Sequence, residues 1–455
     1  MSQNWFHRMA GGFDVLERAV DDRLQTSYLR FVSLTVLTMS GLILGVSLWT
    51  WDGSRTIFGP ALGADFTGFY VAGTILNGDS PERLYDLEFQ NRLYHRLLPG
   101  APAEERLPYV YPPFFALLFR PLAVLPYSWS YLVWLCMSVG LFLASVAFTV
   151  QNTPTLVGRD RLTALLLCLS FQPLVLECWL GGQTSVVGLF WLTVALWCER
   201  SGRPLASGLA LSACLYKPTL LVLLVPMLAI AGRWRILLGF VWGGTALLGL
   251  SLSAVGWQTC RDYGLLLTQF TKVASGGSTV LPSWKYVDLV SFVRLLEGQL
   301  SVLGWTAVLA IAVAALSQQA VAWRRFGAST KRMESSTSRS QCEVLLVWSG
   351  TITWTLVLNL YVGIYDTILV LPGLLLTADI LRSAAHPGQP SFPPAFKRLL
   401  ILLYITPWFS QLLARHLGLQ LDTLVLAATA TYQFLAAQRL STGTVPPLLR
   451  ADSQP

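Results

Sequence analysis

Apolar runs recur along almost the whole chain, and the charged residues are confined to the short stretches between them. A helix that crosses a bilayer needs about 20 apolar residues, and shorter ones are tolerated inside a bundle. Twelve candidate spans follow, near 29–49, 128–150, 161–180, 183–198, 204–216, 218–231, 235–255, 301–323, 343–362, 366–381, 397–413 and 419–437. The pattern predicts an all-α polytopic membrane protein. The short runs between 183 and 231 point to helices inside the bundle, away from its lipid-facing wall. Two regions break the pattern, 50–127 and 256–300. Within the first, 111–126 (YPPFFALLFRPLAVLP) is apolar but holds four prolines and Arg120. Proline removes backbone donors, which is costly in lipid, so an interfacial or re-entrant element is expected there. Within the second, Val287, Val290, Val293 and Leu296 recur at helical spacing in 283–298. This amphipathic piece is expected to lie along the membrane surface.

Composition agrees. Of the 455 residues, 54% are hydrophobic and 12% charged, and the mean hydropathy is +0.55. Soluble domains carry about 25% charged residues. The net charge of +8 does not mark a nucleic-acid binder, because the basic residues sit in clusters between apolar runs. The seven cysteines form no CxxC pair and have no metal-ligand spacing. They read as small hydrophobes. No cleavage site follows the first run, which reads as a retained span.

The linker 324–342 carries Arg324, Arg325, Lys331, Arg332 and Arg339 and marks a cytoplasmic loop. Counting outward puts both termini inside and 20 of the 32 Lys and Arg residues on that side. The division is then a cytoplasmic segment 1–28, one membrane domain 29–437 and a cytoplasmic tail 438–455. The outer face holds the loops 50–127 and 256–300.

Four polar positions fall on that outer face. Asp65, flanked by aromatics, is either a general base toward an acceptor hydroxyl or the N-cap of a helix starting at Phe66. Lys217, before the helix-breaking Pro218, is either an interior cation suited to a phosphate or a snorkelling side chain. Gln183 lies in Gly181-Gly182-Gln183-Thr184-Ser185, either a simple turn or a turn offering an amide to a hydroxyl or phosphate. Asp366, after Tyr365, is either an N-cap or a site residue. Glu177, four residues before Gly181, is unusual within a span and is expected to face the interior.

The ordered set DFTGFYVAGTILNGD…LYD (65–86), YPPFFALLFRPLAVLP (111–126), GGQTS (181–185), SGLALSACLYKPTLLVLLVPML (207–228), GRWRILLGF (232–240) and YDTILVLPGLLL (365–376) resembles glycosyltransferase family 87. These are polyprenyl-phosphate-mannose-dependent mannosyltransferases. The resemblance covers about 29–380 and implies a GT-C bundle whose first outer loop carries the catalytic Asp. It implies Asp65 as the base, Lys217 and Gln183 at the donor phosphate, and Tyr70, Tyr365 and Asp366 at the substrate. The implied reaction moves a sugar, mannose in this family, from a polyprenyl-phosphate donor to a membrane lipid or glycan acceptor, with inversion, in a bacterial inner membrane. No DxD motif or Rossmann glycine loop is visible, in keeping with a lipid-linked donor. No carboxylate or His pair suggests a metal, so neither metal nor cofactor is expected.

Three rivals stand beside this reading. A transporter predicts paired intramembrane charges and inverted repeats, and neither is visible. A lipid-linked polymer ligase predicts a large basic outer loop late in the chain. Arg261, Lys272, Lys285 and Arg294 lie in such a loop, but it is modest in length. An inactive scaffold predicts that loss of Asp65 has no effect.

Overall fold

The computed structural model describes residues 26–59, 61–100, 108–155, 158–275, 283–298, 300–332, 338–384 and 392–442. Most of the expected segment 1–28, the centre of the 324–342 linker, residues 276–282 of the second loop and most of the tail lie outside these residues. The helices are α1 (Thr26–Trp49), α2 (Phe66–Asn77), α3 (Leu87–Leu97), α4 (Tyr127–Val150), α5 (Gly158–Leu169), α6 (Ser185–Arg200), α7 (Pro204–Ala213) and α8 (Leu224–Ile230). They continue as α9 (Trp234–Ser275), α10 (Leu289–Glu297), α11 (Val302–Arg332), α12 (Ser338–Val357), α13 (Leu371–Ser383), α14 (Pro394–Leu417) and α15 (Leu421–Thr442). A π-helical segment, Pro173–Leu180, follows α5, and 3-10 turns occupy Cys214–Tyr216, Pro218–Leu221 and Ile364–Val370. Among the described residues the only β pairing is an isolated bridge between Tyr286 and Gly363.

Five helical stretches among the described residues are long and apolar enough to cross a membrane, or six if α5 and the π-helical segment, bent by 51°, form one broken span. They divide by burial. In α1 only 11% of the most apolar window is buried, whereas in Ile364–Ser383 the share is 78%. Side chains such as Phe31, Leu34, Met39 and Leu42 on α1, and Leu238, Val241 and Trp242 on α9, are exposed. So much apolar surface is stable only against lipid. The chain is an integral membrane protein with an inner set of shorter helices, and α6 is buried along most of its length.

The short inner runs differ from simple spans for a local reason. Pro218 and Pro372 each start a new helical turn, because proline lacks the N–H that would continue the preceding one. The expected spans 218–231 and 366–381 therefore resolve into 3-10 turns followed by short α-helices. In the same way 111–126 forms three pieces, Pro113–Ala116, Leu117–Phe119 and Leu122–Val124, none longer than four residues. Gly256, with φ +77, breaks α9. Its N-terminal part matches the expected span, and its C-terminal part makes the start of the second loop helical.

The described parts of 50–127 are tied by specific hydrogen bonds. Asp86 caps α3 by accepting from the Phe89 N–H at 2.9 Å. The buried Gln90 amide donates to the Leu84 carbonyl at 2.6 Å and accepts from the Tyr109 N–H at 2.8 Å. The Phe114 N–H donates to Ser251 Oγ at 3.2 Å, tying this layer to α9.

Helices α7 and α9 meet backbone to backbone. A Cβ on Gly208 would lie 1.9 Å from the Ile236 carbonyl oxygen, one on Gly239 would lie 2.2 Å from that of Leu205, and one on Gly243 would lie 2.0 Å from Ser212 Oγ. Small residues four apart on both helices permit this approach, which stands in for a hydrophobic driving force within lipid. Gly208→Leu is expected to force α7 from α9 and destabilise the fold by more than the 1–3 kcal/mol or so typical of overpacking. Thermal unfolding in detergent should show a clear loss relative to Leu209→Ala on the exposed side.

Candidate active site

The turn Gly181–Ser185, between the π-helical segment and α6, bonds directly to two of the expected site residues, Asp65 and Asp366. The π-helical segment starts at Pro173, and a 2.8 Å bond from the Gly181 N–H to the Leu176 carbonyl, five residues back, closes it. Such widened turns are frequent at functional sites. Gly182 has φ +79, and a Cβ there would lie 2.7 Å from Phe66 Cβ, so only glycine fits. Phe66 is fully buried, with the rings of Tyr70, Phe119, Tyr127, Tyr131 and Trp134 within 6.4 Å. The Trp134 indole donates to the Gly182 carbonyl at 3.2 Å, and the Tyr131 hydroxyl donates to that of Trp179 at 2.8 Å. These contacts fix the start of α2 against the turn.

Asp65 precedes α2 at the N-cap position, but its side chain makes no cap bond. Its N–H donates to the Gly181 carbonyl at 2.9 Å, and its Oδ2 accepts from Gln183 Nε2 at 2.7 Å. The capping alternative thus gives way to a carboxylate held by the turn.

Two residues further on, Ser185 Oγ donates to Asp366 Oδ1 at 2.7 Å. The other Asp366 oxygen forms an ion pair with Lys217 Nζ. Asp366 is wholly buried in the first turn of Ile364–Val370, where Gly363, not Asp366, occupies the N-cap. The Lys217 side chain is 16% exposed, so it is a partnered interior cation and does not snorkel. Its ammonium also lies 4.8 Å from the centre of the Tyr365 ring.

The Asp65–Gln183 and Lys217–Asp366 pairs are joined through the turn Gly181–Ser185. Tyr111, Tyr365 and Cys178 are each within electrostatic range of both Asp65 and Asp366. The Tyr111 ring is stacked 6.2 Å from that of Tyr216. The Tyr216 hydroxyl accepts from the Gly188 N–H at 3.1 Å and donates to the Thr184 carbonyl at 3.3 Å. Asp65, Glu177, Lys217, Tyr111 and Tyr365 keep partial access to solvent. Tyr70 stands apart: its hydroxyl donates to the Leu125 carbonyl at 2.9 Å, and its ring meets Tyr127 edge-on. Among the described residues no three His, Cys, Asp or Glu side chains come together as a metal-ligand set.

Several contributors were not singled out from the sequence. Ser185 and Thr184 lie in a motif in which only Gln183 drew attention. Asn359 donates from Nδ2 to the Thr219 carbonyl at 2.7 Å, linking the segment before Asp366 to the turn after Lys217. The Val287 N–H donates to the Val362 carbonyl at 2.9 Å, which pins the amphipathic piece to the same segment. Asp288 caps α10 through the Ser291 N–H at 2.9 Å and accepts from the Val362 N–H at 3.4 Å. Burial pushes its carboxyl up to about 6, and the bonds from Ser291 and Val362 oppose that rise. A polar residue in an otherwise apolar run was the available signal for Asn359. Nothing local in the sequence shows which segment Asp288 would hold.

The chain matches the profile of glycosyltransferase family 87 over residues 109–350, more than half of its 455 residues. It belongs to that family and is a membrane glycosyltransferase. No curated protein and no solved structure matches it. The matched stretch contains Glu177, Gln183 and Lys217, and Asp65 and Asp366 reach it through the hydrogen bonds above.

Asp366 without Lys217 would be a buried, unpaired carboxylate. Lys217→Met is expected to cost on the order of 3 kcal/mol in stability, as is usual when one partner of a buried pair is removed. Lys217→Met combined with Asp366→Leu should cost less than the sum of the two single changes. Thermal unfolding of the four proteins measures this, and additive losses would show that the pair is not coupled.

Proposed function

We propose that this glycosyltransferase moves one sugar, mannose, from a polyprenyl-phosphate donor to a lipid or glycan acceptor at the outer face of a bacterial inner membrane. The observation that carries the reading is the turn Gly181–Ser185, which holds Asp65 through Gln183 and Asp366, with Lys217, through Ser185. A carboxylate and a cation facing one space are what a single displacement at an anomeric carbon requires. Asp65 takes the proton of the acceptor hydroxyl as that oxygen attacks the anomeric carbon. The bond from that carbon to the phosphate oxygen breaks, the configuration inverts, and the lipid phosphate leaves with the electron pair. The Lys217 ammonium meets its charge: Asp366 takes one of its N–H groups and orients the rest toward the phosphate.

The remaining residues support this arrangement. Tyr365 lines the phosphate side. Tyr70, whose ring packs on Tyr127 and whose hydroxyl bonds to Leu125, borders the substrate from the α2 side. The placing of basic residues supports a site facing outward and both termini facing the cytoplasm. A donor held in the bilayer reaches the site from the side, past the turns of 111–126 and the nine-residue α10, which are too short to span. The rest of the second loop, 256–300, and the partners of the linker 324–342 carry no step here.

Asp65→Ala is expected to reduce transfer of radiolabelled mannose from polyprenyl-phosphate-mannose to a membrane lipid extract by about 10²–10⁴-fold, the usual contribution of a general base. Unfolding temperature should fall only modestly: the Asp65 side chain caps no helix, and the loss is that of the buried Gln183 amide's bond to it. Equal transfer by the two proteins would remove Asp65 from the reaction.

A further inference from the structure

Helices α14 and α15 lie past the end of the family match and take no part in the chemistry above. The tip of this hairpin nevertheless holds the second outer loop. Gln420, fully buried in the turn between the two helices, accepts from the Ser410 hydroxyl. Its amide donates to the Trp284 and Tyr286 carbonyls at 3.3 and 3.2 Å. Thr423, in the first turn of α15, donates to the Val287 carbonyl at 2.9 Å. Arg415, near the end of α14, lies 5.4 Å from the centre of the Trp284 ring. Buried polar groups are costly unless bonded, and here the bonds all run to one stretch, 284–287.

That stretch holds another in turn. Tyr286 pairs with Gly363 in the isolated bridge. The Val287 N–H and the Asp288 carboxylate take the carbonyl and the N–H of Val362. Residues 358–363 are not helical, so Val362 finds its partners in the loop. Tyr361 has φ +57 and is the one non-glycine residue with positive φ among the described residues. This conformation is disfavoured for a bulky side chain and persists where the neighbours over-determine it. The Tyr286 ring meets Tyr361 edge-on at 5.3 Å. Asp366, which holds Lys217, follows Gly363 by three residues.

From this relay we infer that Gln420 and Thr423 are positioning residues for the Lys217 ammonium. Acting through 284–288 and the left-handed Tyr361, they set where Ile364–Val370 begins, and with it the direction of the Asp366 carboxylate that orients Lys217. The consequence for transfer rests on the proposed reaction, in which that ammonium meets the donor phosphate. A misplacement of the order of 1 Å at a charge that must meet a developing anion is enough to weaken it.

Gln420→Ala removes the amide, Thr423→Val removes a hydroxyl and keeps the shape, and Thr423→Ser restores the hydroxyl. Reductive methylation of the full chain in nanodiscs, read by peptide mass spectrometry, reports how well Lys217 is shielded. Lys397, near the start of α14, is the reference. Relative to Lys397, Lys217 should react severalfold faster in Gln420→Ala and Thr423→Val, and at the wild-type rate in Thr423→Ser. With polyprenyl-phosphate-mannose as donor, the apparent KM for the donor should rise about tenfold in Gln420→Ala, the loss typical of one charged hydrogen bond, and that for the acceptor extract by no more than about twofold. A fraction of misfolded protein lowers the maximal rate and moves neither constant. Should Gln420→Ala not fold, Thr423→Val carries the test. No selective rise in Lys217 labelling, a rise of both lysines together, or a selective rise with an unchanged donor KM overturns the inference. If the wild-type protein transfers no label, the donor assignment fails and the labelling decides alone: a selective rise supports the placement of the cation, and its absence overturns it.

Discussion

A buried polar group within a membrane protein must find its partner inside the protein, and the turn Gly181–Ser185 is where this chain meets that demand. The Gly181 carbonyl takes the Asp65 N–H, the Gly182 carbonyl takes the Trp134 indole, Gln183 holds the Asp65 carboxylate and Ser185 holds Asp366. Segments separated by more than a hundred residues are placed by these bonds. The backbone of the turn also excludes substitution, because Gly182 combines a positive φ with contact against Phe66. Lys217 then follows Asp366, and Asn359 and Val362 fix the strand of chain that carries Asp366.

The all-helical membrane class was legible in the sequence, whereas five or six helical stretches, against the twelve expected spans, are long and apolar enough to cross among the described residues. Runs such as 128–150 and 235–255 are long and uniformly apolar, and they form helices close to those bounds. The four prolines of 111–126 foretold a broken element, and three short helical turns are found. The inner runs were harder. Composition does not distinguish a short span from a 3-10 turn joined to a short helix, and that choice depends on where Pro218 and Pro372 fall and on what packs around them.

The site was partly legible. Asp65, Gln183, Lys217 and Asp366 stand out because charge and amide groups are costly near lipid, and these four come together. Their pairing was not legible, since the ladder from Gln183 to Asp65 and from Ser185 to Asp366 exists only once α2, the turn and Ile364–Val370 have packed. Tyr70 is set differently from these four, with its hydroxyl donating to the Leu125 carbonyl. Glu177 was visible as an oddity, and its backbone carbonyl accepts from the Gln183 N–H at 3.1 Å.

The most direct test of the central account is a cryo-EM structure of the protein in lipid nanodiscs with polyprenyl-phosphate-mannose bound. The account requires the donor phosphate against Lys217 and Tyr365, the sugar directed toward Asp65, and the prenyl chain leaving sideways into lipid past the 111–126 segment or α10. Donor density elsewhere, with the Lys217–Asp366 pair untouched, would contradict it.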